Sequence, residues 1–297
     1  MTMSRRLPLQ LAVLATTLAA LCGSAFAQQA KELTFAHQDM LVPLRLVMES
    51  GEVEKATGYK INWRMFSGGG DVIRAMASGD VQMGETGSSP LTAAASQGQD
   101  IKLFWISADI ANAEALIARN ASGINSMKDL AGKKVATPFV STAHYQLMAG
   151  MKMDGVDPWS VNVMNMRPPE IAAAWERGVN AKWAAANEPF MIAFVKALNR
   201  ANEEYKASGK SWTPDSPQTK AMAKWTKADP KDVSAAMSLY SFPTMAEQVS
   251  PTWLGGGAAK AMAGTAAFLK EQGRVQEVKP DYSAFVTTAY VEKAMGK

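Results

Sequence analysis

Between Leu33 and Ala118, short β-forming runs alternate with helical stretches, and this alternation constrains the fold more than any other feature of the chain. Parallel strands can be joined only through crossovers. Helical crossovers cover both faces of the sheet and give an α/β layer architecture. Leu33–Ala36 reads as a first strand and Val42–Ala56 as a helical stretch. Tyr59–Phe66 alternates as a strand, Ser67–Gly70 is a turn, and Asp71–Ser78 is a short helix. Val81–Gly84 is a third strand, followed by a small-residue helix to Gln97, and Ile101–Ser107 and Glu114–Ala118 read as further strands. After the polar, glycine-bounded break Ser122–Gly132 the pattern restarts. Lys134–Thr137 is a strand, Ser141–Lys152 a helix, Val161–Met166 a strand and Pro169–Arg177 a helix. The restart predicts a second lobe over 120–179, after a first over 28–119. From 180 to 297 the signals are helical: Lys182–Tyr205, Thr219–Lys227, Lys231–Ser238, Gly257–Gln272 and Tyr282–Ala294, separated by prolines. This helical part is expected to pack mainly on the first lobe.

The first 27 residues have the pattern of a cleaved export signal. Arg5 and Arg6 precede the apolar run Leu9–Leu21, and Ala25-Phe26-Ala27 supplies small residues at a cleavage site. The expected location is therefore the periplasm. The only cysteine, Cys22, lies in that leader, so the exported chain is held by its core without disulfides. With 47 % hydrophobic residues over 297 positions, that core can be large. One cysteine and two histidines leave no ligand set for a zinc ribbon or an iron–sulfur cluster, and no metal or cofactor is expected. A net charge of +4 without a basic cluster argues against nucleic acid as a partner.

The chemistry concentrates at two strand-to-helix corners. Gly87-Ser88-Ser89-Pro90 follows a strand and opens a helix, where unpaired N–H groups and the helix dipole favour an anion. The same residues also suit an ordinary N-cap. Pro138-Phe139-Val140-Ser141-Thr142-Ala143-His144-Tyr145 forms a second such corner. Two corners, one per lobe, are what a cleft at the carboxyl ends of two parallel sheets would use. Gln38 and Asp39 end the first strand, at the same edge. Gly68-Gly69-Gly70 reads as a plain turn or as a close backbone approach to a ligand. Glu85 adjoins the first corner, where it could pair an ammonium or repel an anion. No nucleophile elbow with ordered triad partners is visible, which argues against an enzyme.

Several stretches resemble the periplasmic substrate-binding proteins of taurine, sulfonate and nitrate ABC transporters. They are Ala36-His37-Gln38, Trp63–Gly69, Val72–Gln82, Gly87–Leu91, Pro138–Tyr145, Pro168–Trp175, Phe268–Gly273 and Asp281–Ser283. The resemblance implies a type II periplasmic binding protein: α/β, with two Rossmann-like lobes and a hinge. It implies a monomer that binds taurine or another alkanesulfonate and serves a permease and ATPase complex. It assigns the sulfonate to Ser88, Ser89, Ser141 and Thr142, with Gln38, His144 and Tyr145 lining the cleft. It does not carry over an acid for the ammonium, which in the family falls in a segment this chain lacks, and Asp39, Glu85 and Glu170 stand only as weaker candidates.

The chain departs from the family after Gly178, where Val179-Asn180-Ala181-Lys182-Trp183 reads as the helix that follows a missing segment. That segment would normally supply strands of the second lobe and a strand recrossing to the first, so the second lobe is expected to be truncated. The departure keeps two alternatives open. One is a shortened relative that binds another small anion or acts as a periplasmic partner. The other is an enzyme on the same fold.

Overall fold

The computed structural model describes residues 31–110, 113–118, 122–166 and 176–297, with 176–180 described by backbone alone. The expected leader, the Pro168–Trp175 stretch and Glu170 lie outside the described residues.

Strand β1 (Glu32–His37) sits between β2 (Lys60–Met65) and β3 (Met83–Thr86), parallel to both. The expected helix over Val42–Ala56 is two helices, α1 (Leu44–Ser50) and α2 (Glu52–Thr57), because Gly51 takes a left-handed φ of 59°. Helix α3 (Gly69–Ala77) links β2 to β3, and α4 (Ser88–Ser96) leads to β4 (Ile101–Trp105). Phe35, Leu103 and Phe104 are fully buried at the centre of this sheet.

A second, two-stranded parallel sheet is formed by β5 (Lys134–Thr137) and β6 (Asn162–Asn165), joined by α5 (Thr142–Met153). It has its own small core of Leu130, Val135, Leu147, Met148, Met151, Val156 and Val161. Two strands alone are only marginally stable, and α5 packs on them to supply this core.

The chain then returns to the first sheet, contrary to expectation. Glu176–Arg177 does not end a helix, and Val179 does not begin one. Residues Glu176–Asn180 form β7, antiparallel between β3 and β4, giving the order β2-β1-β3-β7-β4. The recrossing strand is present, supplied by the residues that directly precede the C-terminal helices.

Those helices are α6 (Ala181–Ala186), α7 (Glu188–Ser208), α8 (Pro217–Thr226), α9 (Pro230–Met237), α10 (Met245–Gln248), α11 (Gly257–Glu271) and α12 (Ala289–Ala294). Helix α7 buries Phe190, Met191, Phe194, Val195, Ala197, Leu198 and Ala201, the spacing of a single face. Phe194 packs 5.5 Å from Phe35 and 6.4 Å from Phe104, ring centre to ring centre. Helix α11 packs on α4, while its Phe268 also joins the small second core.

Two further expectations fail. Glu114–Ala118 is irregular rather than a strand, with Leu116 and Ile117 exposed side by side. Tyr282–Ala294 is not one helix. Thr287 N–H donates to Leu103 O at 2.9 Å, which draws this segment along the edge of β4 and leaves a single 3-10 turn, Ser283–Phe285, and then α12 helical.

Candidate functional site

Three helix N-termini meet at one cavity of about 160 Å³ between the two sheets. The first belongs to α3, with Ser67, Gly68, Gly69, Gly70, Asp71 and Arg74 on the wall. The second is α4, through Gly87 and Pro90, and the third is α5, through Pro138–Thr142. Asn165, at the end of β6, closes the lining. Each helix start offers backbone donors without intrahelical partners and a partial positive charge. Together they suit a compact anion.

Local sequence explains each wall. Gly69 is where the glycine turn touches the first corner. A Cβ there would lie 2.6 Å from Thr86 Oγ1 and 2.9 Å from Pro90 Cγ, so only glycine fits. Thr86 Oγ1 donates to Gly69 O at 3.2 Å and holds the turn in place. At the second corner Val140 has φ 62°, a left-handed conformation that is costly for a β-branched residue. Its neighbours hold it there. Ser141 Oγ donates to Pro138 O at 2.6 Å and accepts from His144 N at 3.1 Å, capping α5. Phe139 N–H donates to Asn165 Oδ1 at 2.8 Å, tying the corner to β6.

Of the residues expected at the site, Ser141 and Thr142 line the cavity. Ser88 and Ser89 sit in the first turn of α4 between Gly87 and Pro90, but do not themselves line it. Ser89 is fully buried, and its Oγ has no hydrogen-bond partner among the described residues. Gln38, His144 and Tyr145 lie outside the lining. His144 is buried, stacks on Phe139 at 4.8 Å and meets Phe268 edge-on, while Tyr145 also meets Phe268. Asp39 is exposed, whereas Glu85 is fully buried. Glu85 Oε2 accepts from Arg45 Nη2 at 2.8 Å, so its charge faces a guanidinium.

Sequence reasoning missed Arg74, the one cation among the residues lining the cavity, paired with Asp71 on the same helix. The signal lay in the glycine turn followed by an acid and a base three residues apart. It is ambiguous in one dimension, because such pairs are common on exposed helices.

Burial and the nearby Arg274 push the His144 imidazole down to about 4. In the unfolded chain it protonates near the ordinary value of about 6.5. Between these values the unfolded chain holds more protons, so His144 costs stability as pH falls through that window. His144→Phe keeps the ring packing and removes this effect. Its melting temperature relative to the native protein should therefore rise as pH is lowered from 7.5 to 5. A gap that does not change with pH would contradict the assignment.

A profile of the family described as "NMT1/THI5 like" matches residues 55–238, more than half of the chain. This protein belongs to that family. The Taurine-binding periplasmic protein of Escherichia coli (strain K12) is 34 % identical over 317 residues, covering 93 % of this chain and 98 % of that protein. An alignment longer than the 297-residue chain must include positions that this chain lacks, in line with the small second sheet. A Putative aliphatic sulfonates-binding protein of Bacillus subtilis (strain 168) is 30 % identical over 167 residues, 55 % of this chain and 50 % of that protein. Among solved structures, the alkanesulfonate-binding protein SsuA from Xanthomonas axonopodis pv. citri bound to MOPS superposes with a TM-score of 0.72 at 18 % identity, covering 88 % of this chain and 99 % of that one. The periplasmic aliphatic sulphonate binding protein SsuA from Escherichia coli gives a TM-score of 0.66 at 16 % identity, covering 84 % and 94 %. The fold is that of a periplasmic binding protein. The desulfurization enzyme DSZB also shares it, with a TM-score of 0.62 at 10 % identity over 90 % of this chain and 99 % of that one.

Proposed function

We propose that this protein is a periplasmic solute-binding protein that delivers taurine, or a closely related small sulfonate, to an ABC importer. The observation that carries the reading is the convergence of three helix N-termini and Arg74 on one cavity. A sulfonate carries a full negative charge spread over three acceptor oxygens, and amide donors from several directions with a guanidinium match that shape. The taurine- and sulfonate-binding names of the relatives support the same class. In this reading residues 28–119 and 120–179 are two lobes, 180–297 pack mainly on the first, and the leader 1–27 directs export. Ligand held by both lobes favours the closed form that a permease and ATPase complex reads. The protein works as a monomer.

Ser141 Oγ donates its proton to Pro138 O and accepts from a backbone N–H, so it is a cap rather than an activated nucleophile. This favours binding over catalysis. The two-stranded second sheet favours one alternative, a shortened relative that binds a small anion without cycling on a permease.

Calorimetric titration with taurine tests the proposal. A one-to-one isotherm, with a melting temperature that climbs with ligand concentration, is the expected result. A cooperatively folded protein that gives neither heat nor shift with taurine or ethanesulfonate would refute it.

A further inference from the structure

Asn165 is the last residue of β6 and part of the cavity lining. Its place is fixed from two sides. Its backbone stands opposite Thr137 in the register of the two strands, and Met166 N–H donates to Thr137 O at 3.2 Å just beyond it. Its side chain accepts from Phe139 N–H at 2.8 Å, through Oδ1.

That second bond settles which end of the amide is which. A backbone N–H only donates, so the atom facing it is the carbonyl oxygen. Nδ2, with its two N–H donors, is the other end. It donates to no other residue among those described. Asn165 is exposed, outside the small core beneath β6. The amide therefore brings spare donors to the cavity wall.

Phe139 is itself held. Its ring stacks on His144 at 4.8 Å, and the Arg274 guanidinium lies 4.7 Å from the ring centre. The Asn165 amide is thus oriented by a strand end on one side and a packed corner on the other, before any ligand arrives. A donor ordered in advance loses little freedom on binding. Arg74, from α3, is the charged donor on the same lining.

We propose that Asn165 donates to the bound oxyanion through Nδ2, and so is the side chain by which β6 grips the ligand that Arg74 holds from α3. The inference rests on the sulfonate reading above and adds a residue that neither the two corner motifs nor the family resemblance assigns. A sulfonate offers acceptors only. A spare amide donor complements it, and an acceptor in the same place would oppose it.

Two variants and one spectrum test the assignment. Asn165→Asp has nearly the same shape and keeps an acceptor for Phe139 N–H, so the corner stays tied while the free end changes from donor to acceptor. Asn165→Leu removes the amide without adding charge. Calorimetric titration with taurine should show affinity lower by roughly 10-fold or more in Asn165→Leu, as for a lost hydrogen bond to a charged acceptor, and lower still in Asn165→Asp. Both variants should melt cooperatively. In the native protein, labelled for amide NMR, the Asn165 Nδ2 signals are identified by their disappearance in either variant. They should shift, and exchange more slowly with water, when taurine is added.

Native affinity in Asn165→Leu would overturn the proposal, as would Nδ2 signals that ignore saturating taurine. Native affinity in Asn165→Asp would also overturn it, because that is the behaviour of a residue that only ties Phe139. A native protein that binds taurine while Asn165 stays silent overturns this assignment alone. A native protein that binds neither taurine nor ethanesulfonate overturns the sulfonate reading with it.

Discussion

Gly70→Phe leaves the protein folded and removes its sulfonate binding. Gly70 lines the cavity, yet a Cβ there would meet only Arg74 Nη1, at 3.6 Å, an ordinary contact. It has no left-handed φ to be strained by a side chain. The fold therefore tolerates a larger residue, while a phenyl ring occupies the space that three helix N-termini enclose. Taurine affinity should drop at least about 100-fold, with stability changed by no more than about 1 kcal/mol. Gly69 one residue away behaves differently, because its Cβ would strike Thr86 and Pro90. Gly69→Ala should lower the melting temperature as well as the affinity. If Gly70→Phe bound taurine normally, the ligand would sit elsewhere.

Arg45→Met should cost about 3–5 kcal/mol of stability, because it removes the guanidinium that lies against a buried carboxylate. Arg45 and Glu85 are both fully buried, and their contact is 2.8 Å. The guanidinium also donates to Met40 O at 3.0 Å and to Gln38 O at 2.6 Å. One side chain thus neutralises Glu85 and pins the loop after β1 to the end of β3. At this chain length the loss corresponds to a melting temperature lower by about 10 °C. Arg45→Met combined with Glu85→Gln removes the buried negative charge together with its guanidinium but keeps an acceptor for Gln38 N–H. The double variant should recover a large part of the loss. An Arg45→Met variant that melts within about 2 °C of the native protein would show that the pair contributes little.

The same pair shows where a one-dimensional reading stops. Glu85 looks available for a ligand because its neighbours are the anion corner, and nothing local announces that Arg45, forty residues earlier, lies against it. Both corners are legible, since a strand followed by Gly-Ser-Ser-Pro, or by Ser-Thr before an amphipathic run, states its own capping. The contribution of α3 is only half legible: Gly68-Gly69-Gly70 reads as a plain turn or as a backbone approach to a ligand, and it becomes a wall only when Thr86 and Pro90 arrive from another part of the chain. The parallel core of the first sheet follows from alternation, down to β1, β2 and β3. Strand β7 does not. Glu176-Arg177-Gly178-Val179-Asn180 has little β-propensity and is a strand only because β3 and β4 leave a slot between them. Thr287 shows the same effect, drawn off a helical pattern by the open edge of β4. The second sheet is small on both readings, with few strand signals in the sequence and two strands among the described residues.

In the proposed function one anion is gripped between the two sheets by helix starts from both. A crystal structure of the taurine complex tests it most directly, with the ligand sulfur located by its anomalous signal. The sulfonate oxygens should lie within hydrogen-bond distance of backbone amides in the first turns of both α4 and α5, with Arg74 turned from Asp71 toward the ligand. A sulfur held by only one corner, or found outside the cavity lined by Gly70, Gly87 and Thr142, would contradict the account.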